Sequence, residues 1–448
     1  MARFVKLLTP AFTLVALFAI AWYHAAEIGH YWLSNVPSRR HHLDVVIEWM
    51  IVLLVVTWTT TYAAGINETG LNGGTRFTRS AGGVGAALII SMALQLVLTR
   101  KIQLPLFDLG LGLVILVPGL AIVAGVADRS LVSRGQQERV IALVSDEDKE
   151  RLVRDITRAP ERPSQLVLAI HPDDPLPRPD EPAPLEGLIR QHRPTLVVLN
   201  RDAFSIDEVV SQITSAHSRG IRIRTLSLFY DEWLGKLPIS ELERIALLFD
   251  ISELHRPVYA RVKRGLDVAI ALVGLLLTAV LIPFVLLGDL AGNRGSLFYS
   301  QPRVGKGGVE FRIHKFRTMK PHNAATTWTS TDDPRVASVG RILRKLHIDE
   351  LPQFWNVLKR EMSIVGPRPE QPHYVAQLRQ TIPFYDTRHL VRPGMTGWAQ
   401  VKYEYGATEL DALEKLQYEF YYLRHQDLAL DLRIIGRTLR SMGGGGGR

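Results

Sequence analysis

No cysteine occurs anywhere in these 448 residues. That excludes disulfides and thiolate-held metal, and it fits a reducing compartment. No histidine pair has zinc spacing either: His314, His347, His373, His389 and His425 stand apart. The α/β region lacks a glycine-rich loop after its first strand. Ser145-Asp146-Glu147-Asp148 stands there instead, and acidic side chains would repel a pyrophosphate. The stretch from Arg303 to Gly308 has glycines and a lysine but not the lysine-then-hydroxyl spacing of a phosphate loop, so it reads as a hairpin turn. No basic helix carries base-reading side chains, and aromatics are not interleaved with arginines as in single-strand binders. Nucleic acid is therefore not an expected partner.

What the chain has is apolar residues, 47% of the total, unevenly spread, and a net charge of +9. The charge points to anionic partners such as phospholipid or phosphorylated substrates. Four apolar stretches, 4–22, 45–64, 84–98 and 106–127, each approach the ~20 residues that cross a bilayer core and define a four-helix transmembrane region, 1–128. Trp22, Tyr23 and His24 follow the first stretch like an interfacial belt rather than a cleavage site, so that helix is expected to be retained. Arg76 and Arg79 read as loop charges between the second and third helices. Arg39, Arg40, Arg100 and Lys101 fall on the other side, and Arg129, Arg134 and Arg139 follow the fourth. An even number of spans with both ends cytoplasmic fits best.

From residue 138 the pattern changes. Short strands are predicted at 140–144, 166–170, 195–199 and 221–225, with helices at 148–158 and 206–217. This is a small Rossmann-like α/β domain, 138–250, without a nucleotide fingerprint. A proline-rich acidic segment at 171–184 reads as a surface loop. A fifth apolar segment, 265–290, follows Lys263-Arg264 and is interrupted by Pro283 and Gly288. Its length suits a span, whereas its broken second half suits a bent helix that enters and leaves on one side. The phosphate-handling motifs downstream, whose soluble substrate would be met only in the cytoplasm, favour the second. The rest of a catalytic domain, 257–442, reads as strands at 297–301 and 309–315 and helices at 336–344, 351–359, 374–380 and 410–425. The glycine tail, 443–448, is a flexible appendage. The fold class is thus a membrane α-helical bundle, a small α/β domain and a mixed, mainly α-helical catalytic domain with a re-entrant membrane helix.

Asp349-Glu350-Leu351-Pro352 carries the chemistry. Neighbouring residues on a helix point in different directions, so the two carboxylates have different tasks. Asp349 is placed as an N-cap with proline in the first turn. A helix start also favours an incoming phosphate. Arg344 lies just upstream, and Arg368 is fixed between Pro367 and Pro369, ahead of Glu370. Guanidinium forks match phosphate oxygens and cancel the repulsion between a carboxylate and a phosphate. Lys315 and Arg317, at the end of a predicted strand, add cations for a diphosphate or for the acid itself. The stretch from Arg392 to Gln400, with Thr396 and Trp398, either holds a base or sugar or forms a tight loop under the core. His347, two residues before Asp349, is the one histidine placed to matter.

The block from Lys263 onward resembles the catalytic module of the bacterial sugar transferase family, polyprenyl-phosphate glycosyl-1-phosphate transferases. The matching motifs, in order, are Lys263-Arg264-Gly265-Leu266-Asp267, Gln301 to Gly305, Lys315 to Met319, Asp349 to Gln353, Asn356 to Lys359, Met362 to Glu370, and Arg392 to Gly397. Four membrane helices followed by an α/β domain are similar to the family's long form. The resemblance implies transfer of a sugar-1-phosphate from a nucleotide diphosphate sugar, expected to be a UDP-sugar, to undecaprenyl phosphate through a covalent aspartyl phosphosugar. This is the first membrane step of exopolysaccharide, capsule or O-antigen synthesis. It further implies Mg2+ at Asp349 and Glu350, with Asp349 the nucleophile. Phosphates fall to Lys315, Arg317, Arg344, Arg368 and Glu370. Nucleotide or sugar falls to Arg392, Thr396 and Gln400. Membrane lipid is an expected partner, the chain is expected to form a homodimer in the bacterial inner membrane, and its catalytic face is expected in the cytoplasm. In the family a small residue usually precedes the proline that breaks the membrane helix. Here Ile282 precedes Pro283, about one turn later than usual. A non-catalytic scaffold would not need the acid pair with its arginines, and an oxidoreductase would need the missing glycine loop.

Overall fold

The structure, a computed structural model, describes residues 11–16, 39–66, 73–99, 106–132, 138–158, 164–174, 184–239, 252–292, 296–319, 336–403 and 408–443. The chain divides into two compact units, Met1–Gln137 and Glu138–Arg448. The described residues are mostly helical, with small sheets.

In the first unit three long helices are described: α1 (Arg39–Ala63), α2 (Gly73–Thr99) and α3 (Leu106–Val132). The expected first span lies outside the described residues except for a helical stretch at 11–16. Leu53, Val84, Leu88, Leu116, Val117 and Leu120 pack together. Gly74–Gln95 is long and apolar enough to cross a membrane, and Ile51–Ala63 and Leu113–Val126 are shorter apolar stretches. Arg76 and Arg79 are not loop charges. They sit in the first turns of α2, where Arg76 donates to the carbonyls of Ile66 (3.2 Å) and Ala124 (3.3 Å), and Arg79 to that of Gly65 (2.9 Å).

The second unit opens with a parallel four-stranded sheet in the order β2-β1-β3-β4, from β1 (Glu138–Leu143), β2 (Ser164–Ile170), β3 (Leu196–Leu199) and β4 (Arg222–Thr225). The four strands fall close to their expected positions. Helices α4 (Asp146–Arg158), α5 (Pro184–His192) and α6 (Asp207–Ser218) connect them. Of these, α5 was not expected. At the strand ends, where such sheets receive ligands, Ser145 and Asn200 both donate to the Asp148 carboxylate (2.9 and 3.4 Å).

Residues 230–237 then run into the catalytic region. Buried Lys236 lies between Asp155 of α4 (2.7 Å) and Glu414 (2.8 Å). The Trp398 indole donates to the carbonyl of Gly235 (2.7 Å), and His425 meets Asp231 (2.6 Å).

Helix α7 (Pro257–Gly292) is 36 residues long, about 50 Å at the usual rise. It begins eight residues before the expected start and remains helical through Pro283. Lys263 and Arg264 are therefore inside it rather than flanking it. Its Pro257–Asp289 stretch has the length and composition of a membrane span, with mean hydropathy 2.9 over an 18-residue window. Val273, Leu276, Val280, Phe284 and Leu287 form an exposed apolar stripe at helical spacing. The opposite side packs on the catalytic region along its length. Gly274 brings the backbone against the Phe354 ring so closely that an added Cβ would lie 2.2 Å from it. Further along, Ile282 and Val285 pack with Phe316, Leu343, Ile348 and Leu351.

Around α7 lie an antiparallel hairpin, β5 (Phe298–Val304) and β6 (Glu310–Phe316), and helix α8 (Ser338–Lys345). A 3-10 turn, Ile348–Gln353, leads into α9 (Phe354–Leu358). Strand β7 (Ser363–Val365), helix α10 (Pro372–Thr381), a second 3-10 turn (Tyr385–Leu390) and strand β8 (Gly394–Thr396) follow, with β7 and β8 parallel. Helices α11 (Trp398–Lys402), α12 (Glu409–His425) and α13 (Leu428–Gly443) close the unit. Thr408 and Asp411 form a capping box that starts α12. Helix α13 was not expected, and it ends on the first glycine of the predicted tail.

Candidate active site

Asp349 and Glu350 occupy the first turn of the 3-10 segment. Asp349 is not an N-cap. His347 fills that place with φ 55°, in the left-handed region, a conformation that costs a non-glycine residue about 1 kcal/mol or more. It reverses the chain between α8 and the acid pair. At about three residues per turn, neighbouring side chains diverge by a third of a circle. Asp349 accordingly turns inward and is 9% exposed, while Glu350 reaches the Lys315 ammonium at 2.7 Å.

Strand β6 is held in register with this turn by Asn356. The buried Asn356 amide donates to the Arg312 carbonyl (2.8 Å) and accepts from the His314 N–H (3.2 Å). It substitutes for a third strand on the outer edge of β6, one residue before Lys315. Arg368 comes to 3.9 Å from the same Glu350 oxygen. Arg344 donates to the Thr318 hydroxyl (2.9 Å) and lies near enough to act electrostatically on Asp349.

These neighbours separate the two acids. Burial pushes the Asp349 carboxyl up to about 6, with Lys315 opposing, Glu350 adding to the rise and Arg344 opposing it. Burial also acts to raise Glu350, but the ammonium of Lys315 and the guanidinium of Arg368 outweigh it and bring that carboxyl down to about 2. Adjacent carboxyls with divergent environments take different roles.

The other residues singled out from the sequence lie in the surrounding frame. Buried Arg317 donates to the carbonyl of Ser296 (2.7 Å). Glu370 accepts from Val304 N–H through its carbonyl (2.9 Å), with its carboxylate 3.7 Å from Arg303. Arg392 pairs with Glu253 (2.8 Å). The Thr396 hydroxyl shares a hydrogen bond with Thr438 (2.6 Å), and its carbonyl accepts from Gly366 N–H (2.9 Å). Gln400 lies in a crevice beside the 366–368 turn. The stretch from Arg392 to Gln400 packs as a tight loop beneath the Arg368 turn.

Its tightness is testable. A Cβ on Gly394 would lie 2.1 Å from Gly366 N and 2.4 Å from Thr396 O, both backbone atoms. Gly394→Ala is expected to destabilise by about 1–3 kcal/mol, as overpacking does, and to displace Arg368. Thermal unfolding and turnover check this together, and an unchanged melting temperature would contradict the packing.

The residues missed in the sequence are the buried ones. Lys263 contacts Asp431, Tyr422 and the Val365 carbonyl. Asp267 accepts from the Ser363 hydroxyl (3.0 Å) and Ile364 N–H (2.9 Å). Arg264 donates to the carbonyls of Val357 (2.7 Å) and Leu358 (2.8 Å) at the end of α9. The Lys263-Arg264-x-x-Asp267 motif is thus a docking device, joining α7 to β7 and α9.

A family model described as bacterial sugar transferase matches residues 258–445. A UDP-N-acetylgalactosamine-undecaprenyl-phosphate N-acetylgalactosaminephosphotransferase of Aeromonas hydrophila is 44% identical over 202 residues, covering 43% of this chain and 46% of the relative. A UDP-glucose:undecaprenyl-phosphate glucose-1-phosphate transferase of Escherichia coli is 38% identical, covering 40% and 39%. One of the same description from Caulobacter vibrioides is 41% identical over 187 residues, covering 40% and 69%. The chain belongs to the bacterial sugar transferase family. It spans less than half the length of the first two of these relatives.

Proposed function

We propose that this protein transfers a sugar-1-phosphate from a UDP-sugar to undecaprenyl phosphate. The observation that carries this reading is the buried Asp349 beside a Glu350 held by Lys315, with Arg344 and Arg368 facing the same pair. The named relatives divide between glucose and N-acetylgalactosamine, so the donor is proposed as a class.

A carboxylate nucleophile splits one phosphoryl transfer into two steps. An Asp349 oxygen attacks the phosphorus that bears the sugar. The bond from that phosphorus to the UMP oxygen breaks, and UMP leaves. An oxygen of undecaprenyl phosphate then attacks the same phosphorus and returns Asp349 as a carboxylate, giving undecaprenyl-diphosphate-sugar. Lys315 and Arg368 hold the anionic oxygens, and Glu350 keeps Lys315 aimed. Such transfers depend on positioning and electrostatics.

Among the described residues no third acid or histidine joins the pair in a metal-binding cluster. Two carboxylates completed by substrate phosphates still suit magnesium. Asp349 and Glu350 would hold it, and it would supply charge neutralisation for the diphosphate.

The membrane disposition belongs to the same proposal. Because α7 packs on the catalytic region at both Gly274 and Val285, its far half stays with the acid pair's own layer. The exposed stripe is left to lipid. This packing supports a re-entrant helix and access to a lipid phosphate at the bilayer surface, and the soluble nucleotide donor puts that surface at the cytoplasmic face of the inner membrane.

The test is a panel of UDP-sugars offered with undecaprenyl phosphate, reading UMP release, with mass spectrometry of the Asp349 peptide after donor alone. No UMP release from any donor would overturn the proposal. Within this assay Arg368→Ala is expected to lower turnover about 100-fold. The exposed surface residue Arg379, paired with Asp386, serves as control: Arg379→Ala is expected to leave turnover unchanged.

A further inference from the structure

We propose that Arg388 is a positioning residue that aims Arg368 at the acid pair, and that the buried Arg388–Glu419 ion pair is there for this purpose rather than for stability. The inference rests on the reading of Arg368 as a phosphate clamp.

Arg388 is 4% exposed and Glu419 6%. Their contact is bidentate: Arg388 Nε donates to one Glu419 oxygen (2.8 Å) and Nη2 to the other (2.7 Å). Nη1 donates to the Tyr385 hydroxyl (3.1 Å), and Nη2 also donates to the main-chain carbonyl of Arg368 (2.7 Å). The guanidinium fork is thus fixed on one side by a helix and on the other presented to the clamp's own peptide group.

The 367–370 turn shows why that bond matters. Pro367 and Pro369 contribute no N–H, so the turn is held through its carbonyls. Pro367 O accepts from Gly394 N–H (2.8 Å), Pro369 O from Arg303 (3.0 Å) and Glu370 O from Val304 N–H (2.9 Å). Arg388 holds the carbonyl of the very residue whose side chain reaches Glu350. Rotation of that peptide would swing the Arg368 guanidinium away from its 3.9 Å approach.

A buried ion pair is weak evidence for stability. Replacing both partners with apolar residues of similar volume is often neutral, whereas removing one partner is strongly destabilising. Arg388→Met with Glu419→Leu is therefore the informative variant. It keeps the packing and removes the bond to Arg368 O. Its melting temperature is expected to fall by less than in Arg388→Met alone, since the Tyr385 hydroxyl and the Arg368 carbonyl each lose a donor but no buried charge is left unpaired. Its kcat is expected to fall about 100-fold, the effect of misplacing a reacting group by about an ångström, with KM for the lipid acceptor unchanged. In an Arg368→Ala background the same double replacement is expected to cost nothing further.

Wild-type turnover in the double variant would overturn the inference. So would an equal loss in both backgrounds, which would mark a general structural effect. If the double variant does not fold, Arg388→Lys in the same two backgrounds decides on the same criteria, since it keeps a buried cation for Glu419 and lacks the fork. A wild-type enzyme without UMP release, or full turnover in Arg368→Ala, would instead fail the underlying site reading and take this inference with it.

Discussion

Asp349→Asn is expected to abolish turnover and, at the same time, to make the magnesium-free protein more stable. The loss should reach at least about 10⁴-fold, as removal of a covalent nucleophile does. The gain follows from burial. In the folded chain the Asp349 carboxyl lies at about 6, against an ordinary 3.8. The folded state therefore holds its proton more tightly than the unfolded state. Stability from this group is complete below about pH 4 and is lost as pH rises through 6. At pH 7.5 the ionised, buried carboxylate costs up to about 3 kcal/mol, and a neutral amide of the same shape avoids much of that. The measurement is thermal unfolding in EDTA at several pH values. The Asp349→Asn protein should melt higher than wild type at pH 7.5, and the difference should close as pH falls towards 4. Glu350 has the opposite sign. Its carboxyl lies at about 2 in the folded chain, so its contribution is present above about 4.5 and is lost as pH falls through 2. Glu350→Gln should accordingly lower the melting temperature at neutral pH. Near-normal turnover in the Asp349→Asn enzyme would remove the covalent step. A melting temperature below that of wild type would contradict the burial argument.

The part of this site legible in the sequence is the part written locally. Strands β1 to β4 and the β5–β6 hairpin show in short apolar or alternating runs and turn residues, because their signals are confined to a few positions. The acid pair, its proline and its flanking arginines show in the same way. The geometry around them does not. Nothing in the segment Leu346-His347-Ile348 announces a left-handed histidine, so the sequence puts the cap at Asp349, two residues beyond its actual place at His347. Lys263 and Arg264 read as charges outside an apolar run because their partners are remote. Asp431 is 168 residues away from Lys263, and Val357 is 93 from Arg264. Arg388 and Glu419, 31 residues apart, carry no local signal at all, since a charged residue on a short turn resembles solvated surface until its partner is known. The same limit explains Arg392 and Thr396. Their glycine-rich context gives no sign of Glu253 or Thr438, the remote partners that hold them.

The second large effect concerns that remote pairing. Lys263→Met is expected to destabilise the catalytic unit by about 3–5 kcal/mol, the range for breaking a buried ion pair on one side. Lys263 and Asp431 are 2% and 1% exposed. The ammonium has three donors and three acceptors: Asp431 (2.9 Å), the Val365 carbonyl (3.0 Å) and the Tyr422 hydroxyl (3.1 Å). Asp431 also accepts from the hydroxyls of Tyr259 and Tyr422, each at 2.9 Å. Removing the cation leaves a buried carboxylate with hydrogen bonds and no countercharge. Removing both charges, as Lys263→Met with Asp431→Leu, should recover most of the loss. The position has a functional consequence too. Val365 ends β7, and the next three residues are the turn that carries Arg368, so turnover in Lys263→Met should fall with stability. Attachment to the bilayer should not change, because this lysine faces protein and the apolar stripe of α7 is untouched. Unfolding temperature and carbonate extraction from membranes separate the two roles. A Lys263→Met protein of normal stability that washes off the membrane would make the residue a lipid anchor, and the docking account of the Lys263-Arg264-x-x-Asp267 motif would be wrong.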